Sequence, residues 1–318
     1  MSTSNPLAAW LARSPRLILD GALATELERR GADLKDPLWS ARLLMEQPDL
    51  IRQVHVDYYL AGADVATTAS YQASFSGFAQ RGLNAEQAAD LMRLSVQLAC
   101  EARDQFWQTP GARDGRHFPL VAASVGPYGA VLADGSEYRG HYGLSEAQLQ
   151  DFHRPRLQVL ANAGADLLAV ETVPCALEAR AVARLLASEF PGTSAWISLS
   201  CRDAAHSCEG DPVEAIAAEL DGLPSVAAIG VNCTAPEHLP GLITAMRRGT
   251  TKPVLVYPNA GEVYDAEAKV WRGGADPRPF AHMADDWAAA GATLIGGCCR
   301  TTPADIHGLF TRWTSTAA

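Results

Sequence analysis

Short apolar runs recur eight times along the chain, and a helical pattern separates most of them. Such runs predict buried strands, and their alternation with helices predicts a parallel sheet that is covered on both faces. Eight strand–helix units favour an α/β fold of the (β/α)8 TIM-barrel type. The predicted strands comprise residues 16–20, 63–71, 118–126, 165–173, 194–201, 226–233, 253–260 and 292–299.

The helical patterns and their ends fit the same architecture. Three helix-to-strand joints place a glycine just before the strand, at Gly62, Gly164 and Gly291, where a left-handed residue ends a helix. We therefore predict a single barrel domain over residues 1–318, with its core at about 15–313. The predicted helices comprise residues 48–60, 85–107, 145–160, 176–190, 212–220, 237–247, 279–290 and 303–313.

A doubly wound open sheet is the alternative fold. Such a sheet usually has fewer strands and carries a glycine-rich phosphate turn after its first strand. The first turn of this chain reads Asp20-Gly21-Ala22-Leu23, which is not a dinucleotide-binding fingerprint.

Composition and charge argue against several classes of function. The formal net charge of −10, without a basic run, argues against a nucleic-acid partner. The first residues do not resemble a signal peptide, and no apolar stretch approaches the ~18 residues of a membrane helix. We expect a cytoplasmic protein with no membrane partner, as a monomer or a small homo-oligomer. The seven cysteines are an odd number, which indicates reduced thiols.

The chemistry of a TIM barrel belongs at the carboxyl ends of its strands. An apolar core strand has no structural reason to finish in a carboxylate or a thiol, yet several of these do. The residues predicted at or near the strand ends are Asp20, Tyr71, Gly126, Glu171, Cys201, Cys233, Asn259, Cys298 and Cys299.

Three of these strand-end residues predict a metal site. Cys233 ends the sixth strand, and Cys298 and Cys299 end the eighth, so the two ends face one site. Three thiolates supply three legs of a tetrahedral zinc site and leave the fourth open, which is typical of catalytic zinc. Gly296 and Gly297 let the backbone turn so that the adjacent thiols converge. The alternative is that the cysteines are small buried hydrophobes.

Asp20 and Glu171 predict a site for a cationic group. Each follows an apolar run, where an unpaired carboxylate is unfavourable. We expect the pair to clamp an α-ammonium group, and the backbone N–H groups of Gly21, Ala22 and Leu23 to receive the carboxylate of the same molecule. The alternative is two solvated carboxylates. For Tyr71, the alternative is a packing residue at the barrel rim.

The combination of motifs resembles the homocysteine S-methyltransferase family over about residues 15–313. The pairing of Gly230-Val231-Asn232-Cys233 with Gly296-Gly297-Cys298-Cys299 is specific, whereas the separate glycine motifs are not. The other matching segments are Asp20-Gly21-Ala22, Thr25-Glu26-Leu27, Thr67-Thr68-Ala69-Ser70-Tyr71-Gln72, Ser124-Val125-Gly126-Pro127-Tyr128-Gly129 and Glu171-Thr172.

The resemblance implies a TIM-barrel enzyme of methionine biosynthesis that uses Zn2+ to methylate the thiol of L-homocysteine. It maps the zinc ligands, which are also the catalytic residues, onto Cys233, Cys298 and Cys299. It maps the homocysteine-binding carboxylates onto Asp20 and Glu171.

Two further site residues follow from the resemblance. Tyr71 maps onto a tyrosine that can ligate zinc in the betaine-dependent members when homocysteine is absent. Asn232, beside Cys233 in the matching motif, is expected to contact the substrate.

The methyl donor implied is a small sulfonium, S-methylmethionine first and S-adenosylmethionine second. The chain ends soon after Cys299, so we expect no cobalamin or folate domain and no betaine-type extension. The long loop 127–144 resembles that of the sulfonium-dependent members, and a second long loop, 259–276, is expected on the same face. Cys208 departs from the small residue expected in the donor pocket. The loop 127–144 offers Tyr128, Asp134, Glu137, Tyr138 and Tyr142.

The loop tyrosines can stabilise a sulfonium by roughly 0.5–2 kcal/mol each, although they can also serve only to pack the loop. Two other function classes stay open at this point. One is a zinc hydrolase or lyase, although such sites favour histidine and carboxylate ligands. The other is a non-catalytic zinc or thiol-sensing protein, whose metal a fourth protein ligand would close off.

Overall fold

Eight parallel strands form one sheet in this computed structural model, which describes residues 5–34, 39–261, 263–265, 270–272 and 278–315. A separate antiparallel hairpin, β8 (Val263–Asp265) with β9 (Val270–Arg272), follows the seventh strand. The strands of the main sheet are β1 (Leu17–Ile18), β2 (Val65–Thr67), β3 (Leu120–Val125), β4 (Leu167–Val173), β5 (Ala195–Leu199), β6 (Val226–Asn232), β7 (Val254–Tyr257) and β10 (Ala292–Ile295).

The sheet closes on itself. Its order is β1-β10-β7-β6-β5-β4-β3-β2, and a parallel bridge between Leu19 and Val65 joins the two outer strands. This arrangement confirms the predicted (β/α)8 TIM barrel and removes the open sheet as an alternative. The observed strands are shorter than the predicted runs because the chain leaves the ladder early. Residues 68–71, for example, turn across the end of the barrel.

All eight predicted helices are present in the barrel, with ends shifted by a few residues, and they pack outside the sheet. Capping boxes at Asn84 and Ser145 fix two of their starts, and left-handed glycines at Gly62 and Gly291 end two others, as predicted. They are Pro48–Ala61, Ala85–Gln108, Glu146–Leu160, Ala176–Glu189, Val213–Asp221, Leu239–Gly249, Phe280–Ala290 and Pro303–Ser315.

Among the described residues, five short helices were not predicted, because segments of five to eight residues are too brief to display a helical period. Two of them, Leu23–Arg29 and Tyr128–Leu132, begin next to predicted site residues. The others are Pro6–Leu11, Trp39–Glu46 and Phe75–Ala79.

Side chains fill the barrel interior, so it is a core and not a channel. Alternate strand residues such as Leu17, Ala169 and Trp196 form one buried cluster that also includes Leu7 and Trp10 from the helix Pro6–Leu11. Trp10 packs edge-on against His117, 5.3 Å between ring centroids, just before β3. The N-terminal helix therefore closes the amino ends of the strands, and the opposite face is left for chemistry.

The structure describes the first of the two long loops predicted on that opposite face in full. Residues 127–144 contain the helix Tyr128–Leu132 and a 3-10 turn, Ser136–Tyr138. Much of the second predicted loop, 259–276, lies outside the described residues. Among the described residues, no helix has both the length and the apolar character that crossing a bilayer requires.

Candidate metal centre and substrate site

The three predicted thiols meet at the carboxyl end of the barrel. Cys233 follows β6, and Cys298 and Cys299 follow β10, with β7 between them. Their sulfur atoms all lie within 4.8 Å of one another. The Sγ of Cys299 is 3.8 Å from that of Cys233 and 3.9 Å from that of Cys298. Cys233 and Cys298 are joined as a disulfide in the structure, so the expectation of reduced thiols was wrong for this pair.

Local backbone geometry explains how adjacent cysteines reach one point. The β10 ladder ends at Ile295, and the N–H of Gly297 then donates to the Asp20 carbonyl at 2.9 Å. A Cβ at Gly297 would overlap the Thr301 side chain, so only glycine fits this turn. Cys233 itself has a left-handed φ of 46°, which turns its side chain away from the strand alternation.

The residues present fit a zinc ion. Three sulfurs bound to one tetrahedral zinc at about 2.3 Å would lie about 3.8 Å apart, which is the spacing of Cys299 from both partners. Burial raises the pKa of the Cys299 thiol to about 12, so a cation is needed for this group to ionise near neutral pH. In the described part of the chain, no His, Cys, Asp or Glu adds a fourth ligand to the group.

Asn259, which the sequence predicted at a strand end without a specific role, lies beside the thiols. The N–H of Cys298 donates to the Pro258 carbonyl at 2.8 Å, and that of Ala260 donates to the Cys299 carbonyl at 3.1 Å. The Oδ1 of Asn259 is buried without a hydrogen-bond partner in the described residues. A buried, unpaired acceptor next to three thiols is a further feature that fits a bound cation.

The two predicted carboxylates are buried and interact. Asp20 accepts hydrogen bonds from the backbone N–H of Thr67, at 2.7 Å, and from its hydroxyl, at 3.1 Å. Burial raises the pKa of Asp20 to about 8, with a smaller contribution from the charge of Glu171. Burial likewise raises the pKa of Glu171 to about 7, although Ser124 and Tyr257 hydrogen-bond to it. A cation between them would offset the free-energy cost of removing both carboxylates from water.

The turn after Asp20 has fewer free backbone N–H groups than predicted. Gly21 packs so closely on Tyr58 that an added Cβ would lie 2.9 Å from its ring. The N–H of Ala22 already donates to the Thr301 hydroxyl at 3.3 Å. Of the three predicted donors to a substrate carboxylate, Gly21 and Leu23 therefore remain the better candidates.

Asn232 lies next to Cys233, but its side chain is engaged within the barrel. Its Oδ1 accepts from the N–H of Thr172 and from the Ser198 hydroxyl, both at 2.7 Å. Its Nδ2 donates to the Thr172 hydroxyl, also at 2.7 Å. This geometry favours a positioning role over the direct substrate contact that the sequence predicted.

Tyr71 lies close to both halves of the site. Its hydroxyl hydrogen-bonds to Thr172, and burial together with the charges of Glu137 and Glu171 raises its pKa well above the usual range. The ring packs on Gly126, where an added Cβ would lie 2.8 Å from it. Tyr71 is therefore a neutral phenol that borders the carboxylates.

A buried charged network, not predicted from the sequence, holds these loops in place. The Arg156 guanidinium donates to the carbonyls of Gly126, at 2.9 Å, and Tyr71, at 3.0 Å. The Oε1 of Glu178 accepts from the N–H of Tyr128 at 2.6 Å and contacts the Nε2 of His153 at 2.9 Å.

One feature of the sequence indicates this network. Arg156 falls on the apolar face of its helix, between Leu149 and Leu160 at helical spacing, where a solvated arginine is not expected.

Comparison with known proteins shows which family the chain belongs to. The family model described as homocysteine S-methyltransferase matches residues 17–312. The chain belongs to the homocysteine S-methyltransferase family. The homocysteine S-methyltransferase YbgG of Bacillus subtilis is 54% identical over 303 residues, which cover 95% of this chain and 96% of the relative. The Escherichia coli homocysteine S-methyltransferase is 51% identical over 314 residues, covering 98% of this chain and 100% of that protein.

A solved structure supports the same placement. The metallated form of the homocysteine methyltransferase MmuM from Escherichia coli superposes with a TM-score of 0.86 at 49% identity, over 96% of this chain and 99% of that one. Membership of the homocysteine S-methyltransferase family selects S-methyl transfer, with homocysteine and a methyl donor as substrates, over hydrolysis, lyase chemistry or thiol sensing.

Proposed function

We propose that this homocysteine S-methyltransferase is zinc-dependent and transfers the methyl group of S-methylmethionine, and less readily that of S-adenosylmethionine, to L-homocysteine. The observation that carries the metal assignment is the convergence of three sulfurs at one point, with the Sγ of Cys299 3.8 Å from that of Cys233 and 3.9 Å from that of Cys298. The metallated form of the similar Escherichia coli enzyme supports it.

Reduction of the Cys233–Cys298 disulfide frees both sulfurs, and Cys233, Cys298 and Cys299 would then hold the ion through three soft thiolate ligands, which suit zinc. When bound, the metal would supply an open position that keeps the homocysteine sulfur in its nucleophilic thiolate form. Free thiols have a pKa of about 8.5 and are weak nucleophiles near neutral pH. The arrangement of the protein therefore has to orient this sulfur towards the donor methyl and exclude water from it.

Asp20 and Glu171 would bind the ammonium group of homocysteine. Both are buried, and fixed hydrogen-bonding neighbours orient each carboxylate: Thr67 for Asp20, and Ser124 with Tyr257 for Glu171. The arriving ammonium lowers both raised pKa values and so draws the pair into the ionised form. Gly21 and Leu23 would direct their N–H groups to the substrate carboxylate.

The loop 127–144 would hold the methyl donor. Tyr128 packs edge-on against Tyr142, 5.3 Å between ring centroids, and Phe152 lies 5.1 Å from Tyr128. Tyr138 is close enough to Cys299 for the thiolate charge to contribute to its raised pKa. Aromatic faces attract a sulfonium, and this attraction disappears as the methyl leaves and the sulfur becomes neutral, so a few weak contacts suit the reaction.

The test is a methyl-transfer assay with homocysteine and four donors at equal concentration, with zinc content measured in parallel. The donors are S-methylmethionine, S-adenosylmethionine, betaine and methyltetrahydrofolate. We expect turnover in that order, with negligible rates for the last two, and loss of activity on chelation that zinc restores. Faster turnover with betaine or the folate would reject the donor assignment, and full activity of the metal-free protein would reject the zinc assignment.

A further inference from the structure

Glu137 is a carboxylate held at the donor side of the site that no step above uses. It lies in the 3-10 turn Ser136–Tyr138. The hydroxyl of Ser200, at the end of β5, donates to the Glu137 carbonyl at 2.8 Å. The turn also packs directly on the helix Tyr128–Leu132, since an added Cβ at Gly129 would lie 2.5 Å from the Glu137 nitrogen. The backbone of Glu137 is therefore fixed from two sides.

The carboxylate itself is incompletely satisfied. Its Oε2 is buried and has no hydrogen-bond partner among the described residues. The charge of Arg139 balances Glu137 only partly, because Arg139 is more than half exposed and its ion pair, at 3.8 Å, is with Asp134. A buried carboxylate oxygen without a partner is energetically unfavourable unless a ligand supplies the missing donor.

Glu137 lies near the predicted site residues, because the Ser200 hydroxyl that contacts its carbonyl is also 3.5 Å from the carbonyl of Thr172, next to Glu171. Its negative charge is among the causes that raise the pKa of Tyr71, Tyr138 and Cys299, so it is near all three side chains. The acceptor amino acid already has two carboxylates of its own, Asp20 and Glu171, on β1 and β4. A third carboxylate, on the loop 127–144, is available for a cationic group of the donor other than its sulfonium.

We propose that Glu137 binds the α-ammonium group of the amino-acid methyl donor and so selects sulfonium donors that carry one. The inference rests on the proposed function, because it assumes a sulfonium donor. S-methylmethionine and S-adenosylmethionine both have this ammonium, whereas betaine has only its quaternary nitrogen. The ammonium charge does not change during methyl transfer, so the contact stabilises the ground state and the transition state equally. Its loss should therefore raise the KM for the donor and leave kcat unchanged.

The experiment compares two donors in the zinc-loaded enzyme. One is S-methylmethionine, and the other is dimethylsulfoniopropionate, a sulfonium acid without an α-ammonium group. In Glu137→Gln we expect the KM for S-methylmethionine to rise about 10- to 100-fold at unchanged kcat, since hydrogen bonds to charged groups contribute at this scale. The kinetic constants for dimethylsulfoniopropionate, or its inhibition constant if it is not turned over, should stay the same. Glu137→Asp should fall between the wild type and Glu137→Gln.

The matched control is Glu237→Gln, which removes an exposed carboxylate from the segment after Cys233 and should leave both donors unaffected. Zinc content, homocysteine KM and thermal unfolding are measured for every variant. Equal losses with both donors, or no change in the KM for S-methylmethionine, would overturn the role of Glu137 while the proposed function stands. Failure of the wild type to use any sulfonium would overturn the proposed function, and this inference with it.

Discussion

Asn232 holds Thr172 in a left-handed backbone conformation through both ends of its amide group. The Oδ1 of Asn232 accepts from the Thr172 N–H, its Nδ2 donates to the Thr172 hydroxyl, and the φ of Thr172 is 61°. This region is unfavourable for a β-branched residue. Because Thr172 follows Glu171 and Asn232 precedes Cys233, the contact ties a carboxylate that would bind homocysteine to a proposed metal ligand.

Replacement of Asn232 should therefore affect both stability and catalysis. Asn232→Ala leaves the Thr172 N–H and the Ser198 hydroxyl without their acceptor inside the barrel, which should lower the free energy of unfolding by about 1–3 kcal/mol. The kcat/KM for homocysteine should fall as Thr172 relaxes and Glu171 shifts. Denaturant unfolding and steady-state kinetics measure the two effects, with Asn162→Ala, an exposed asparagine, as the control. Wild-type values for both would show that the clamp is dispensable.

Each of the three site cysteines should be necessary for metal binding. Cys298→Ala removes one of three thiolate ligands, so we expect most of the zinc and nearly all activity to be lost, while the barrel core keeps the protein folded. Metal analysis, an activity assay and circular dichroism measure these outcomes. Cys100→Ala, at a thiol away from the site, is the control. Full zinc occupancy in Cys298→Ala would refute the ligand assignment.

The carboxylate pair should control homocysteine binding and not metal binding. Glu171→Gln and Asp20→Asn each remove one charge-assisted hydrogen bond, worth about 1.5–3 kcal/mol, so the kcat/KM for homocysteine should fall roughly 10- to 100-fold. Zinc content should stay at the wild-type level, because neither residue belongs to the thiol group. If both variants keep wild-type kinetics, the ammonium of homocysteine binds elsewhere.

Arg156 should position the two loops that its guanidinium joins. In Arg156→Lys, one ammonium cannot reproduce the two divergent hydrogen bonds to the carbonyls of Gly126 and Tyr71, so stability should fall by about 1.5–3 kcal/mol. The donor kcat/KM should fall as Tyr71 and the loop 127–144 lose their alignment, with zinc retained. Arg154→Lys, an exposed arginine on the same helix, controls for helix propensity. An unchanged donor kcat/KM in a destabilised Arg156→Lys would restrict the residue to a structural role.

His55 should make the protein sensitive to mild acid. Both ring nitrogens are buried without a partner in the described residues, and burial lowers the pKa to about 4. The unfolded state, with a histidine pKa of about 6.5, binds the proton more readily between these values, so stability falls as pH drops from about 6.5 to about 4. His55→Met should flatten part of this decline in unfolding measurements across pH, whereas the exposed His307→Gln should not. Identical slopes would show that His55 does not titrate in this range.

The fold could be predicted from the sequence because strand runs and helix periods are local signals that each repeat eight times. The convergence of Cys233 with Cys298 and Cys299 could also be predicted, since a parallel barrel gathers its strand ends on one face. What the sequence could not give is which polar groups are already engaged. The side-chain contacts of Asn232 and those of the buried Arg156 network join residues 25 to 85 positions apart. Apart from the position of Arg156 on the apolar face of its helix, no local pattern records them.

The filled amino end of the barrel bears on the order of events during turnover. Because Leu7 and Trp10 close that end and Trp196 fills the interior, both substrates must pass through the same opening at the opposite face. The thiols and the carboxylates Asp20 and Glu171 lie at the strand ends, and the loop 127–144 lies beyond them. On the proposed sites, homocysteine is expected to bind first, because a donor already held by the loop 127–144 would obstruct it. Initial-rate kinetics should show a compulsory order, with substrate inhibition by excess donor that rising homocysteine relieves.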